Sequence, residues 1–163
     1  MKTTYSWEAG KKHRRPKKTP MHSLLSQAAA LCLPEEKNKQ FEVDFHFLAP
    51  REMAELNIKH VGHEGITDVI CFNYPEGMAI PGEESISRIE IFVCPEAAAK
   101  AAGKYKRTYE NELIIYAVHG LLHAAGENDL LPEDRKKMRR KERAVTAKLR
   151  KKYDFEDIFE REK

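Results

Sequence analysis

The sequence predicts a single α+β domain, and three observations carry that prediction. Apolar residues alternate with polar ones over residues 41–48 and 86–93, and residues 68–72 form a compact apolar run, so three strands are expected. Five further segments place apolar residues at helical spacing and begin at a proline or a capping side chain or end at a proline or glycine. The chain has 163 residues and a hydrophobic fraction of 41%, enough for one domain to enclose one core.

Taken in order, residues 11–18 read KKHRRPKK, too charged to bury and interrupted by Pro16. Residues 1–19 are therefore expected to be a mobile basic arm. Leu24, Leu25, Ala28, Leu31 and Cys32 then mark a helix over residues 22–33 that Pro34 ends. In the first strand Phe41, Val43, Phe45 and Phe47 point to the core, and Glu42, Asp44 and His46 point away. Pro50 opens a short helix carrying Met53, Ala54 and Leu56. The strands at 68–72 and 86–93 are joined by a loop rich in glycine and proline over residues 74–85. Pro95 starts an alanine-rich helix to Gly103, Thr108 caps a broadly apolar helix through Leu122, and Pro132 starts a final basic helix reaching Lys152. The main domain is expected over residues 20–154, followed by a charged tail at 155–163.

Net charge is only +3, but it is unevenly spread. Residues 1–20 carry seven Lys or Arg against Glu8 alone, and residues 133–163 carry thirteen basic against eight acidic side chains. The middle of the chain is acidic. Between residues 135 and 152, eleven Lys and Arg stand against Glu142 alone. Such a helix suits a phosphate polymer, with Arg135, Arg139, Arg140 and Arg143 as candidate contacts. Cys32, Cys71 and Cys94 make no CxxC pair and read as reduced core thiols. No apolar stretch approaches the ~18 residues of a membrane span, and no secretory signal opens the chain, so a soluble cytoplasmic protein is expected.

The segment most informative about chemistry is VHGLLHAAGENDL, residues 118–130. His119 and His123 stand four apart in a predicted helix, which stacks their rings on one face, where two neutral imidazoles can share one Zn²⁺ at ~2.0–2.1 Å each. Gly126 offers a left-handed exit from the helix, after which a carboxylate can swing back, and Asp129 is the expected third ligand. On spacing alone, two histidines packed on a helix with satisfied hydrogen bonds remain an equal reading. No glutamate follows His119, since Gly120 stands there, so the HExxH protease pattern and its general base are absent. Glu127 is the candidate base in its place, beside its reading as a solvated turn carboxylate.

The stretch HGLLHAAG followed by Asp129 resembles the H-G-x-L-H-x-x-G-x-D-H motif of the YbeY family of ribosomal-RNA maturation endoribonucleases. Leu56, Asn57, Gly62, Thr67, Asp68, Val69 and Phe72 fall in the order of a second family segment, and the similarity covers residues 41–154. The resemblance implies a mixed sheet of about four strands flanked by helices. It also implies a divalent metal on His119, His123 and Asp129, a cleft lined by Thr67 and Asp68, and cleavage of single-stranded RNA in ribosome maturation and quality control. Precursor ribosomal RNA and the small ribosomal subunit are the implied partners, and the oligomeric state is left open.

This chain departs from the pattern at three places. Asp129 replaces the third histidine, which adds a negative charge and opens the site to manganese, magnesium or nickel as well as zinc. The arginine that the family places before its glycine, credited with holding substrate phosphate, falls at Val61. Ser87 and Arg88 replace a Gly-Asp pair ahead of the last strand, and Arg88 is a further candidate for RNA contact. If catalysis is intact, the expected chemistry is metal-assisted hydrolysis of a phosphodiester, with water activated toward a pKa of ~7. The alternatives are an RNA- or ribosome-binding protein of the same fold with weak or no catalysis, and a metallohydrolase acting on peptides or small esters.

Overall fold

Four strands and five α-helices account for the regular structure in the computed structural model, which describes residues 1–34, 41–75 and 87–161. The expected loop over residues 74–85 lies almost wholly outside the described residues. The alternating segments fold as predicted. Strand β2 (Phe41–Leu48) buries Val43, Phe45 and Phe47, and strand β4 (Ser87–Val93) buries Ile89, Ile91 and Val93 on the same face. Strand β3 (Val69–Tyr74) runs antiparallel to β4, with Val69 opposite Val93 and Cys71 opposite Ile91.

The fourth strand comes from the segment expected to be a mobile arm. Residues Lys2–Glu8 form β1, parallel to β2 at the sheet's edge, giving the order β1-β2-β4-β3. Thr3, Tyr5 and Trp7 alternate onto the core face, where the Tyr5 and Trp7 rings lie 6.1 Å and 5.5 Å from the Phe47 ring. Lys2 lies on the other face and pairs with Glu42 at 3.2 Å. Seven lysines and arginines in the first twenty residues hid this short alternation. The basic run that follows is also tied down, through Lys12 and His13 to Glu96, Arg14 to Glu110, and Lys17 N–H to the Ile158 carbonyl at 2.8 Å.

Helix α1 (Lys18–Cys32) begins four residues earlier than predicted and buries Met21, Leu24, Leu25, Ala28 and Ala29. Helix α2 (Pro50–Val61) lies on the opposite face of the sheet, where Met53 joins Leu48, Ile70 and Cys94 in a small second cluster. Helices α3 (Pro95–Tyr105), α4 (Tyr109–Ala124) and α5 (Pro132–Arg150) complete the layer on the α1 side, with a 3-10 turn at Glu156–Ile158. The charged tail expected from residue 155 is instead part of this layer. Phe155, Ile158 and Phe159 are buried in the main core, and the Glu160 N–H donates to the Arg15 carbonyl. Three apolar side chains, Phe155, Ile158 and Phe159, were enough to anchor the described part of this charged segment, residues 155–161.

Helix α4 is the central element and is buried along most of its length. The Thr108 side chain caps it by accepting from the Asn111 N–H at 3.2 Å, satisfying one of the free donors of the first turn. Gly120 lets α4 lie directly on the sheet. A Cβ there would sit 2.6 Å from Ile91 Cγ2 and 2.9 Å from Val69 Cγ2, closer than any side chain is tolerated. That close approach fixes the height of the neighbouring His119 above β3 and β4.

Candidate metal centre

The rings of His119 and His123 share one face of α4, as their spacing predicts, and their Nε2 atoms are 2.9 Å apart. Gly126 adopts φ +96 and turns the chain after the helix, with the Gly126 and Glu127 N–H groups closing back on the His123 and Leu122 carbonyls. The turn brings Asp129 over the pair. One carboxylate oxygen lies 3.4 Å from His119 Nε2 and the other 3.8 Å from His123 Nε2. Among the described residues this is the one group of three or more His, Cys, Asp or Glu able to hold a metal ion, with all three donor atoms within 4.8 Å.

The hydrogen bonds on the far side of each ring show how the donors are presented. His119 Nδ1 lies 2.5 Å from a Glu142 carboxylate oxygen, and His123 Nδ1 lies 3.0 Å from the Glu127 carbonyl. Both partners only accept, so each Nδ1 carries the proton and each Nε2 turns a lone pair toward the other. Two lone pairs at 2.9 Å repel unless a positive charge lies between them. A tetrahedral cation at ~2.0–2.1 Å from each donor would hold donor atoms roughly 3.3 Å apart, within the span of the three separations here. The residues therefore fit a divalent ion, with the outer hydrogen bonds fixing ring orientation.

Burial disfavours a proton on His119, but the hydrogen bond and charge of Glu142, with Asp68 and Asp129 nearby, outweigh it and raise its pKa. The same surplus of negative charge favours any cation at this position. His119 and Glu142 are only 16% and 15% exposed, so this field is weakly screened.

A cavity of about 650 Å³ opens beside His119 and Asp129. Asp68, Glu112, Asp129 and Glu142 contribute its acids, and Arg107, Arg135, Arg139 and Arg143 its bases. The last three are spaced by four along α5 and so project from one side of that helix toward the cavity. Arg140 is not in the lining. Asp68 is held rigidly, one oxygen accepting from the Val69 N–H at 2.9 Å and the Thr67 hydroxyl at 3.2 Å. Thr67 thus reaches the cavity through Asp68.

Two sequence expectations fare differently. The Glu127 carboxylate does not line the cavity, because Lys141 and then Lys137 of α5 hold its two oxygens and keep its pKa below the usual carboxylate range. Its backbone carbonyl, not its side chain, touches His123. Arg88 sits on the sheet face opposite α4 and pairs with Glu42 at 3.3 Å and Asp44 at 3.7 Å, far from the histidines in register and direction. In their stead the cavity contains Glu142, Arg107, Tyr105 and Tyr116. Glu142 was visible in the sequence as the lone acid in the basic run. Burial, followed by the charges of Asp68 and Glu112, pushes the Tyr116 phenol up to about 12, so it stays a hydrogen-bond donor.

Among the described residues, no helix is long and apolar enough to cross a membrane. The family model described as Endoribonuclease YbeY matches residues 7–150. A protein named Endoribonuclease YbeY from Chlorobium phaeovibrioides is 32% identical over 130 residues, covering 80% of this chain and 83% of its own. One of the same name from Elusimicrobium minutum is 35% identical over 125 residues, covering 74% and 86%. The solution structure of TM1509 from Thermotoga maritima shares the fold, with a TM-score of 0.57 and 22% identity over 90% of this chain and 88% of that one. With the family model matching most of the chain and relatives above 30% identity covered over more than two thirds of it, the chain belongs to the endoribonuclease YbeY family.

Proposed function

We propose that this chain is a metal-dependent endoribonuclease that hydrolyses phosphodiester bonds of single-stranded RNA in the maturation and quality control of ribosomes. In this reading it works in the cytoplasm, with precursor ribosomal RNA and the small ribosomal subunit as partners and zinc as the first choice of ion. The observation that carries the proposal is the convergence of the His119 and His123 lone pairs and the Asp129 carboxylate at the edge of a cavity that His119 and Asp129 line together with four arginines. Family membership supplies the reaction class.

A divalent ion held by His119, His123 and Asp129 supplies Lewis-acid stabilisation of phosphoryl charge and a more acidic water. The chain's own groups supply the rest. Arg139 and Arg143 bind and orient the phosphate, presenting forked donors that match its oxygens. The Tyr116 hydroxyl donates a hydrogen bond to developing charge on the substrate. Asp68 replaces Glu127 as the proton acceptor, since it faces the cavity while Glu127 is held by two lysines.

Purified protein should carry about one equivalent of divalent metal and cleave single-stranded RNA only while it is present. His123→Ala should lose both the metal and the cleavage while keeping the circular dichroism of the parent. Undiminished cleavage in that variant would sink the proposal. A second reading, an RNA- or ribosome-binding protein with weak or no catalysis, draws on the engagement of Glu127 by Lys137 and Lys141 and on Val61. Salt-sensitive RNA binding without turnover under any divalent ion would select it.

A further inference from the structure

The wall of the cavity across from α5 is built by the turn between α3 and α4. Tyr105 ends α3, Lys106 takes left-handed backbone angles (φ 54, ψ 47), and Arg107 follows, so that two neighbouring long side chains line the same cavity as His119. Tyr105 is 56% exposed, among the most exposed large apolar side chains of the described residues, although Ala98 and Ala102 of the same helix are buried. Two cations lie over its ring, so a base that stacks there displaces the Lys104 ammonium. The Arg107 guanidinium carbon lies 5.7 Å and Lys104 Nζ 5.2 Å from the ring centroid.

Arg107 is anchored without being consumed. It donates to Glu112 at 3.2 Å, a carboxylate whose side chain is 4% exposed, while the arginine side chain itself stays 53% exposed. That pairing sets the direction of the guanidinium and leaves most of its five donors unused by Glu112. A half-exposed aromatic ring with an oriented guanidinium at its face, lining the same cavity as His119 and Asp129, matches the two chemically distinct parts of a nucleotide. The base offers a π-face for the ring, and the flanking phosphate offers paired oxygens for the arginine.

We propose that Tyr105 and Arg107 form a nucleotide subsite in which an unpaired base stacks on the Tyr105 ring while Arg107 holds the adjacent phosphate. The subsite rests on the endoribonuclease reading and deepens it by supplying a cause for strand preference. A base inside a duplex has both faces covered by its neighbours and cannot stack on a side chain, so only single-stranded RNA can use the Tyr105 ring.

The test uses the metal-loaded full chain and a cleavage-resistant phosphorothioate oligoribonucleotide bearing 2-aminopurine, whose fluorescence falls on stacking. Wild-type protein should quench the probe on binding. Tyr105→Ala, a change at an exposed side chain, should weaken binding about tenfold and remove the quenching. Tyr105→Phe should restore the quenching, and Arg107→Ala should weaken binding and flatten its salt dependence. Binding of an RNA duplex should be the same for wild type and Tyr105→Ala. If Tyr105→Ala binds, quenches and cleaves like wild type, or loses affinity equally for duplex and single strand, the subsite is overturned while the nuclease reading stands. If the wild-type protein neither binds nor cleaves RNA with any divalent ion, both fall together.

Discussion

The N-terminal segment and helix α5 look alike as sequence, two basic runs at opposite ends of an acidic middle, yet the fold puts their charges to different uses. Lys2, Lys12 and Arg14 are taken up by Glu42, Glu96 and Glu110, and the segment that carries them becomes an edge strand and its tether. On α5, Lys137 and Lys141 hold Glu127, but among the described residues Arg139, Arg140 and Arg143 make no ion pair, and two of them line the cavity with His119 and Asp129. Charge counted along a chain therefore does not measure charge available to a ligand. What decides availability is whether the tertiary structure brings an acid within reach.

The largest effect that would sharpen this contrast is at Arg14. Replacing Arg14 with Ala strands the Glu110 carboxylate, 7% exposed, and should lower stability by about 3 kcal/mol in urea unfolding, with RNA affinity per folded molecule unchanged. Loss of RNA affinity with stability intact would reverse the assignment. On α5 the outcome should be opposite. Arg139→Ala combined with Arg143→Ala should cost about 100-fold in affinity for single-stranded RNA, because each hydrogen bond to a charged group contributes ~1.5–3 kcal/mol. The slope of log affinity against log salt should shrink by roughly 0.7 for each arginine lost. Thermal stability should barely move, and an unchanged salt slope would show that these arginines do not meet phosphate.

Glu142 interrupts the basic run and should behave as part of the metal centre. Glu142→Gln preserves the acceptor for His119 Nδ1–H but removes its charge, and should weaken metal binding about tenfold in a chelator competition. Equal affinity would reduce Glu142 to a helix-packing residue. The smallest effect concerns the N-terminal tether. Hydrogen bonds from Lys12 and then His13 lower the Glu96 pKa from 4.5 to about 2. A carboxyl with a depressed folded-state value stabilises the fold fully above 4.5 and loses that contribution as pH falls through about 2. Wild type should therefore lose stability relative to Glu96→Gln across that window. Parallel pH profiles for the two proteins would mean that the tether contributes nothing.

Much of the site was legible in the sequence, because the information was local. The four-residue spacing of His119 and His123, and Gly126 as the helix exit, required only helical geometry and the backbone freedom of glycine. Asp129 followed from its place in the motif, at the position of the third ligand after the glycine turn. The partners of these residues were not legible in the same way. Glu142 is twenty-three residues from His119 in sequence, and its role depends on how α5 packs against α4. Glu127, nearer in sequence and of the right type, was claimed by two lysines from that same helix.

The sequence by itself determined the strands β2 and β4, the central helix with its paired imidazoles, and the family to which the chain belongs, since hydrophobic periodicity and motif spacing act over a few residues. Only the tertiary structure decided that Lys2–Glu8 would be a strand, that Arg88 would face away from the cavity, and that Tyr105 and Arg107 would face into it. The physical reason is common to all three. A strand needs a neighbour to satisfy its backbone, and a charged side chain takes its role from whichever opposite charge or open space the fold sets beside it.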